Sequence, residues 1–154
     1  MISHWTYKEQ SEFEIPEGAF GFVYQITNLQ NGMKYIGRKY LTASKITSKR
    51  VSLKSGVKVT KKKKSRVESD WRGYTGACKP LNESISKLGK EKFQFSILAF
   101  GFTKGQVNFL EEFCQMRAGV MFDDSYYNDS IGSRGFIGVK FTNEFKEVLK
   151  EIEI

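Results

Sequence analysis

The stretch GFVYQITNLQNGMKYIGR, residues 21–38, decides the fold of this chain. Its flanks, residues 20–27 and 33–37, are rich in β-branched and aromatic side chains, which predicts two strands. The Asn-Gly dipeptide between them favours a type I′ turn, because both of its residues tolerate the positive φ angles that this turn requires. We therefore predict a β-hairpin that places Tyr24 and Tyr35 on adjacent strands.

Local signals further along the chain predict a helix and a third strand. Pro80 suits a first helical turn and Gly89 suits a helix end. The apolar face between them is formed by Leu81, Ile85 and Leu88. From Phe93 to Ala99, apolar residues alternate with others at the period of a strand.

A second helix is predicted from the capping box of Thr103 and Gln106 up to Gly119. Its inner face carries Val107, Leu110 and Cys114. Glu111 lies beside this face, near the predicted sheet, although most acidic residues on amphipathic helices are solvated. The neighbouring Glu112 is the alternative candidate for an acidic residue with a function.

The two ends of the chain are predicted to pack on the same domain. Residues 1–19 are interpreted as an extended lead-in, residues 126–136 as a turn region rich in Gly and Asn, and residues 143–152 as an amphipathic helix. A chain of 154 residues with 40% hydrophobic content suits one domain, residues 1–154. The predicted fold class is α/β of the α+β type, with a small three-stranded, antiparallel-type sheet flanked by helices.

Positive charge is concentrated in an insertion at about residues 40–70. The chain has a formal net charge of +8, and from Lys34 to Val67 it has thirteen Lys or Arg and no Asp or Glu. Alternation around Ser55-Gly56 predicts an exposed second hairpin, and the block Lys61 to Lys64 is expected to stay disordered until a counter-charge arrives. The insertion is either a flexible solvated loop or a clamp on a polyanion such as the DNA backbone.

Several classes of site are disfavoured by composition. Two cysteines, Cys78 and Cys114, lack metal-ligand spacing, and one histidine, His4, lies near the N-terminus, which argues against zinc sites and histidine acid–base chemistry. The sequence shows neither a signal-peptide pattern nor 18 consecutive apolar residues, so we expect no membrane partner. A soluble, cytoplasmic protein with free thiols is the expectation.

The hairpin resembles the signature of the GIY-YIG nuclease family, here as Phe22-Val23-Tyr24, with Val in the Ile place, and Tyr35-Ile36-Gly37. The resemblance extends over about residues 20–135 with the interruption at 40–70, and it is greatest to the free-standing homing endonucleases of bacteriophages. It implies an endonuclease that hydrolyses phosphodiester bonds of double-stranded DNA with Mg²⁺ or Mn²⁺, working in the host cytoplasm if it is encoded by a phage. A restriction-type endonuclease on the same fold, or a catalytically inactive DNA-binding module, is the alternative.

The resemblance also implies roles for individual residues. Tyr24 would be the general base, Tyr35 would hydrogen-bond nearby, Glu111 would hold the metal, and Asn128 would shape the site. The arginine expected about ten residues after the second tyrosine is replaced by Lys45, so the candidates for contact with the scissile phosphate are Arg38 and Arg72. The residues expected to contact the DNA backbone are Lys39, Lys49, Arg50, Lys61, Lys62, Lys63, Lys64 and Arg66.

Overall fold

The predicted hairpin lies within a four-stranded sheet in the computed structural model, which describes residues 3–132 and 141–154. The last residues of the predicted turn region, Ser133 to Phe136, lie outside the described residues. The strands are β1 (Trp5–Tyr7), β2 (Gly21–Asn28), β3 (Lys34–Tyr40), β4 (Thr42–Ser52), β5 (Lys58–Glu68) and β6 (Phe93–Gly101). The helices are α1 (Lys79–Leu88), α2 (Lys104–Ala118) and α3 (Asn143–Glu151), and short 3₁₀ turns cover Trp71–Gly73 and Lys90–Lys92.

The order of strands in the sheet is β1-β6-β2-β3. The three predicted strands are present as β2, β3 and β6, and β2 pairs antiparallel with both of the others. The fourth strand, β1, lies in the predicted lead-in and pairs parallel with β6 over three residue pairs. The α+β fold class is confirmed, and β1 is the addition that the sequence did not predict.

The type I′ turn predicted between β2 and β3 is wrong. Five residues separate the two strands, and among them only Gly32 has a positive φ, of 76°, whereas a type I′ turn requires a positive φ at Asn31 as well. Asn28 organises the loop, because its side-chain Oδ1 accepts from the Gln30 N–H at 3.0 Å while its N–H donates to the Met33 carbonyl at 2.7 Å. The side chain of Asn28 thus takes the place of a tight Asn-Gly turn.

The two faces of the sheet carry separate hydrophobic clusters. One face, covered by α1 and the 3₁₀ turn at Trp71–Gly73, packs Trp5, Phe22, Tyr24 and Leu81. The opposite face, covered by α2 and α3, packs Val23, Ile36, Ala99, Leu110 and Phe145. Alternate residues of β2 therefore belong to different layers, as the twofold period of a strand requires.

Helix caps follow the sequence signals. The hydroxyl of Thr103 accepts from the N–H of Gln106 at 3.1 Å at the start of α2, and Gly119 ends this helix in the left-handed conformation. Pro80 lies in the first turn of α1 and Gly89 follows its end. The predicted helices are therefore confirmed to within a residue or two at their ends.

The basic insertion forms a long two-stranded β-ribbon, β4 and β5, separate from the main sheet. The predicted second hairpin is confirmed, and each of its strands has eleven residues. The prediction that the lysine block is disordered is wrong, because Lys61 to Lys64 lie within β5, opposite Ile46 to Lys49. The ribbon meets the domain at its base, where the N–H of Ser69 donates to the Leu41 carbonyl at 2.9 Å. We call residues 42–68 the basic ribbon.

Within residues 3–132 and 141–154, no helix is long and apolar enough to cross a membrane.

Candidate active site

Tyr24 and Tyr35 lie on the same face of the hairpin, over Gly37. Tyr24 is directly opposite Gly37 in the register, and Tyr35 is two residues away on β3. A methyl group on Gly37 would lie 2.6 Å from the Tyr24 hydroxyl and 2.8 Å from Cε1 of Tyr35. The absence of a side chain at position 37 therefore lets the two phenols approach, with their ring centroids 6.2 Å apart.

Tyr24 is almost fully buried, with 1% of its surface exposed. Its ring packs against Trp5, with centroids 5.0 Å apart, and edge-on against Tyr74 at 6.2 Å. Burial is the main reason that the pKa of Tyr24 is raised well above its usual value of 10, with further contributions from Tyr35 and from a hydrogen bond to Tyr74. In this conformation the phenol of Tyr24 is protonated at neutral pH.

Tyr35 and Tyr74 are nearer to positive charge than Tyr24 is. Burial raises the pKa of Tyr35 to about 12, against a lowering effect of Arg38. Burial also raises the pKa of the half-buried Tyr74, opposed by the hydrogen bond from Tyr24 and by Arg38. Lys39 places its ammonium 3.8 Å from the centroid of the Tyr74 ring and 2.5 Å from an oxygen of Asp70.

On the opposite face of the sheet, Arg38 is ion-paired with Glu111. Nη1 of Arg38 donates to Oε2 of Glu111, and both side chains are mostly buried, with 17% and 9% of their surfaces exposed. Arg38 follows Gly37 on β3, and Glu111 is on α2, which packs across this strand. The interpretation of Glu111 as lying beside the buried stripe is in agreement with this position.

Asn128 holds the edge of β3 next to this pair. Its Oδ1 accepts from the Ile36 N–H at 3.0 Å, and its Nδ2 donates to the Ile36 carbonyl at 2.8 Å. Gln115 also donates to that carbonyl at 3.1 Å and accepts from the N–H of Gly132 at 3.1 Å. A methyl group on Gly132 would lie 3.0 Å from Oε2 of Glu111, so the segment from Asn128 to Gly132 runs from the edge of β3 to that carboxylate.

Glu112 differs from Glu111 in its environment. It is 8% exposed, and its Oε1 is the one buried side-chain oxygen or nitrogen without a hydrogen-bond partner in the described part of the chain. Glu111, by contrast, has Arg38 as a partner. The structure thus separates the two candidates by their contacts.

A cleft of about 550 Å³ lies between the end of β3 and the base of the ribbon. We call it the basic cleft because its cations, Arg38, Lys39, Arg66 and Lys104, outnumber its two carboxylates, Glu68 and Asp70. Tyr74 also lines it. Arg38 and Tyr74 are the partners of Glu111 and Tyr24, so the cleft is the place where both groups of residues reach a common surface.

The two phenols and the carboxylate of Glu111 lie on opposite faces of the sheet in this structure. Tyr24 and Tyr35 belong to one layer and Glu111 to the other, and among the described contacts none joins a phenol directly to Glu111. Arg72, the second candidate arginine, is in contact with Glu68 at 3.1 Å and lies 4.5 Å above the Trp71 ring. Of the two candidate arginines, Arg38 is the one in contact with Glu111.

The predicted DNA-contacting residues fall into two groups. Lys49, Arg50 and Lys61 to Lys64 are exposed along the ribbon. Lys39 and Arg66 are at its base, where Arg66 donates to the Thr42 hydroxyl at 2.6 Å and lies 4.8 Å from the centroid of the Phe20 ring. These two residues line the basic cleft rather than the free part of the ribbon.

Sequence reasoning missed Tyr74 and Lys104 as residues near the site. Tyr74 lies far from the hairpin in sequence, and its hydrogen bond with Tyr24 joins positions fifty residues apart. Lys104 opens α2 beside the cleft. Nothing local in the sequence indicates either position, because both depend on how the ribbon returns the chain to the sheet.

This combination of fold and side chains defines the class of protein as a small α+β nuclease domain. Residues 5–131 match the family model described as "Putative endonuclease segE, GIY-YIG domain". The protein belongs to this GIY-YIG endonuclease family, so the predicted family is confirmed. No curated protein and no solved structure matches the chain significantly.

Family membership implies a nuclease that acts on DNA, and nucleases of this family generally depend on a divalent metal. The described residues contain no group of three or more His, Cys, Asp or Glu that could enclose an ion. The hard carboxylate oxygens of Glu111 fit Mg²⁺ nevertheless, because this ion keeps most of its waters and commonly takes one or two protein carboxylates. Arg38 is ion-paired with the same carboxylate, and this pair is the main electrostatic feature of the site.

Proposed function

We propose that this protein is an endonuclease that hydrolyses phosphodiester bonds of double-stranded DNA with Mg²⁺ or Mn²⁺ bound at Glu111. The observation that carries the proposal is the position of Arg38, which is ion-paired with Glu111 and also lines the basic cleft. One guanidinium is thus shared between the proposed metal ligand and the surface that DNA would reach. Arginine suits this role because its planar fork matches phosphate oxygens.

The proposed role of Arg38 is to neutralise the scissile phosphate. A phosphate entering the basic cleft offers the guanidinium a second anion, and moving from Glu111 to that phosphate would release the carboxylate. Lys39, Arg66 and Lys104 raise the positive potential in the same cleft. The substrate would thereby exchange one ion pair for another, and a metal held by Glu111 would compensate the carboxylate that Arg38 leaves.

Tyr24 is the proposed general base, assisted by Tyr74. Hydrolysis needs a group that takes a proton from the attacking water as the bond from phosphorus to the leaving oxygen breaks. Since the pKa of Tyr24 is raised in this conformation, positive charge must come near the phenols before Tyr24 can accept that proton. Tyr74 lines the cleft and is hydrogen-bonded to Tyr24, which gives the buried phenol a route to the surface.

A divalent metal, when bound, supplies positive charge beside the reacting phosphate and lowers the pKa of acidic groups near it. Glu111 is the residue proposed to hold it. Tyr35 and Asn128 are proposed as positioning residues, because Tyr35 packs against Tyr24 and Asn128 fixes the backbone of β3 at Ile36.

The test is a plasmid-nicking assay with Mg²⁺, comparing the wild type with Glu111→Gln and Tyr24→Phe. We expect both variants to lose at least about 100-fold in cleavage rate, the scale on which groups that stabilise a transition state act. Glu112→Gln, at the next position on α2, and Tyr126→Phe, a tyrosine that lies beside Lys34 on the other face of the sheet, are the control variants, and they should cleave at the wild-type rate. If cleavage survives in Glu111→Gln and disappears in Glu112→Gln, the metal ligand is Glu112 and the proposal for Glu111 is wrong.

We further propose the homing type of endonuclease, which would cut long DNA rarely, whereas a restriction-type enzyme would cut it at many short sites. Digestion of a bacterial chromosome and of several small plasmids distinguishes the two. A few long fragments from the chromosome support the homing type, and a dense ladder supports the restriction type.

A catalytically inactive DNA-binding module is the second candidate. The raised pKa of Tyr24 and the occupation of Glu111 by Arg38 are the observations that favour it. DNA binding without nicking by the wild type, in Mg²⁺ and in Mn²⁺, would support the module and reject the enzyme.

A further inference from the structure

The basic ribbon carries cations on both of its faces. Cross-strand partners point to the same side of a ribbon, and successive residues point to opposite sides. From the register, one face carries Arg50, Lys58, Lys62, Lys64 and Arg66. The other face carries Lys45, Lys49, Lys61 and Lys63.

The two faces would not both be basic in an element that rests on a flat anionic surface. Such an element needs cations on one side only, and the other side would be neutral or mixed. Lys49 lies directly opposite Lys61, a like-charged pair that destabilises the ribbon unless an anion lies between or beside the two ammonium groups. The charge pattern therefore fits an element with phosphate on both sides.

The tip of the ribbon carries exposed apolar side chains on either side of Lys54, Ser55 and Gly56. Leu53 and Val57 flank the Ser55-Gly56 turn with 44% and 57% of their surfaces exposed, and Val51 and Val59 pair behind them. Phosphate oxygens offer no partner for these side chains. Base edges in the major groove do, since thymine presents a methyl group there.

The dimensions agree with the same conclusion. Eleven residues at about 3.3 Å each make a ribbon of about 36 Å, and its two strands are about 5 Å apart, before side chains are counted. The major groove of B-DNA, about 12 Å wide, admits a two-stranded ribbon, whereas the minor groove, about 6 Å wide, does not.

We propose that the basic ribbon enters the major groove of duplex DNA, with the phosphates of both strands against its two lysine-bearing faces and the Leu53–Val57 tip against base edges. This inference rests on the proposed function only for the choice of DNA as the partner. It assigns to the ribbon the contact with bases that the Arg38–Glu111 site does not provide. Sequence preference would then come from the ribbon, and cleavage from the domain.

The first test compares the two faces by neutralising two lysines on each. Lys61→Gln with Lys63→Gln removes charge from one face, and Lys62→Gln with Lys64→Gln removes the same charge from the other. Binding to a mixed-sequence duplex of about 40 base pairs is measured without divalent metal over a range of salt. Each pair should weaken binding to a similar extent and lower the slope of log K against log salt by up to about 1.8, since each phosphate contact contributes about 0.9.

The second test identifies the groove with probes of known position. Methyl green occupies the major groove and netropsin the minor groove, and each is bound to the duplex before protein is added. The wild type should displace methyl green and leave netropsin bound. A shortened variant, in which Asn-Gly replaces residues 46–64 between the register partners Lys45 and Ser65, should lose the displacement of methyl green.

Two results would overturn the inference. One is that a single lysine pair carries the whole effect on affinity and salt slope, as expected for a ribbon lying on the backbone. The other is displacement of netropsin but not of methyl green. Thermal unfolding shows whether the shortened variant still folds, and because neither test needs cleavage, a failure of the proposed nuclease activity leaves both results interpretable.

Discussion

Arg38 on β3 is ion-paired with Glu111 on α2, seventy-three residues further along the chain, and the pair lies one residue from the glycine beneath the two hairpin phenols. The sheet thus separates the carboxylate of Glu111 and the guanidinium of Arg38 on one face from Tyr24 and Tyr35 on the other. Changes of charge at Arg38 are therefore expected to affect both sides of the sheet.

The first prediction concerns competition between Arg38 and a metal for Glu111. Arg38→Gln should lower the free energy of unfolding by about 1–3 kcal/mol, because a mostly buried carboxylate loses its partner. A divalent metal should then stabilise the variant more than the wild type, since a ligand that binds only the folded state stabilises it by mass action. The measurement is the rise in melting temperature on adding Mg²⁺.

Arg72→Gln is the control for that experiment, since Arg72 is ion-paired with Glu68 and lies over the Trp71 ring. Its response to Mg²⁺ should match that of the wild type. An equal response of all three proteins would show that Glu111 is not the metal ligand.

The second prediction concerns Gly37. In Gly37→Ala the new methyl group would lie 2.6 Å from the Tyr24 hydroxyl, so the phenols must move. We expect a loss of about 1–3 kcal/mol in stability, as for overpacked cores, and a large loss of cleavage. Gly73→Ala is the matched control, because a methyl group there meets nothing within 4 Å. Urea unfolding of the two variants measures the difference, and equal stabilities would contradict the close approach.

The third prediction concerns Asn128 as a positioning residue. Asn128→Ala removes both hydrogen bonds to Ile36 and should cost about 1–3 kcal/mol, since the Ile36 N–H is left unpaired while its carbonyl keeps only Gln115. Asn128→Asp keeps the acceptor and loses the donor, so its stability should lie between that of the wild type and that of Asn128→Ala. Cleavage that falls in the same order as stability indicates positioning, whereas full stability with no cleavage indicates direct contact with the substrate.

The fourth prediction concerns the pH dependence of cleavage. Because burial raises the pKa of Tyr24, the fraction of deprotonated base increases throughout the range from pH 7 to pH 9. The rate should rise with pH by up to about tenfold per unit, as expected for loss of one proton. A rate that is flat from pH 7 to pH 9 would contradict a raised pKa of Tyr24 in the complex that cleaves DNA.

The fifth prediction concerns His4, which packs against Trp5 and Phe95 with a ring nitrogen 3.0 Å from the Tyr74 carbonyl. Burial, followed by the charge of Lys90, lowers the pKa of His4 from 6.5 to about 4. Between these two values the unfolded chain binds a proton that the folded chain excludes, so stability is lost as pH falls from about 6.5 towards 4.

In His4→Gln this part of the pH dependence should disappear. The measurement is the melting temperature of the variant and of the wild type at pH 7.5, 6.0 and 4.5. The two curves should converge as pH falls, and parallel curves would show that the pKa of His4 is not lowered in the folded protein.

The sequence predicted those elements whose signals are local. The hairpin strands, β6 and the ends of α2 follow from alternation, a capping threonine at position 103 and the glycine at 119. These features depend on neighbouring residues in the chain, and the structure agrees with them. Glu111 beside the buried stripe was predictable for the same reason.

What the sequence did not predict depends on contacts between distant residues. β1 is three residues long and becomes a strand by pairing with β6, about ninety positions away. The loop after β2 follows the side chain of Asn28 rather than the Asn-Gly dipeptide. The lysine block of β5 has no apolar alternation, so its strand is visible only from its pairing with β4.

The free edges of the basic ribbon have a consequence for handling the protein. In the described part of the chain no third strand pairs with either β4 or β5, so each ribbon presents unpaired backbone groups that a second ribbon could match. Repulsion between the lysines of two ribbons opposes such pairing at low ionic strength. Concentrated salt without nucleic acid would screen this repulsion, and the purified protein should then self-associate as its concentration rises.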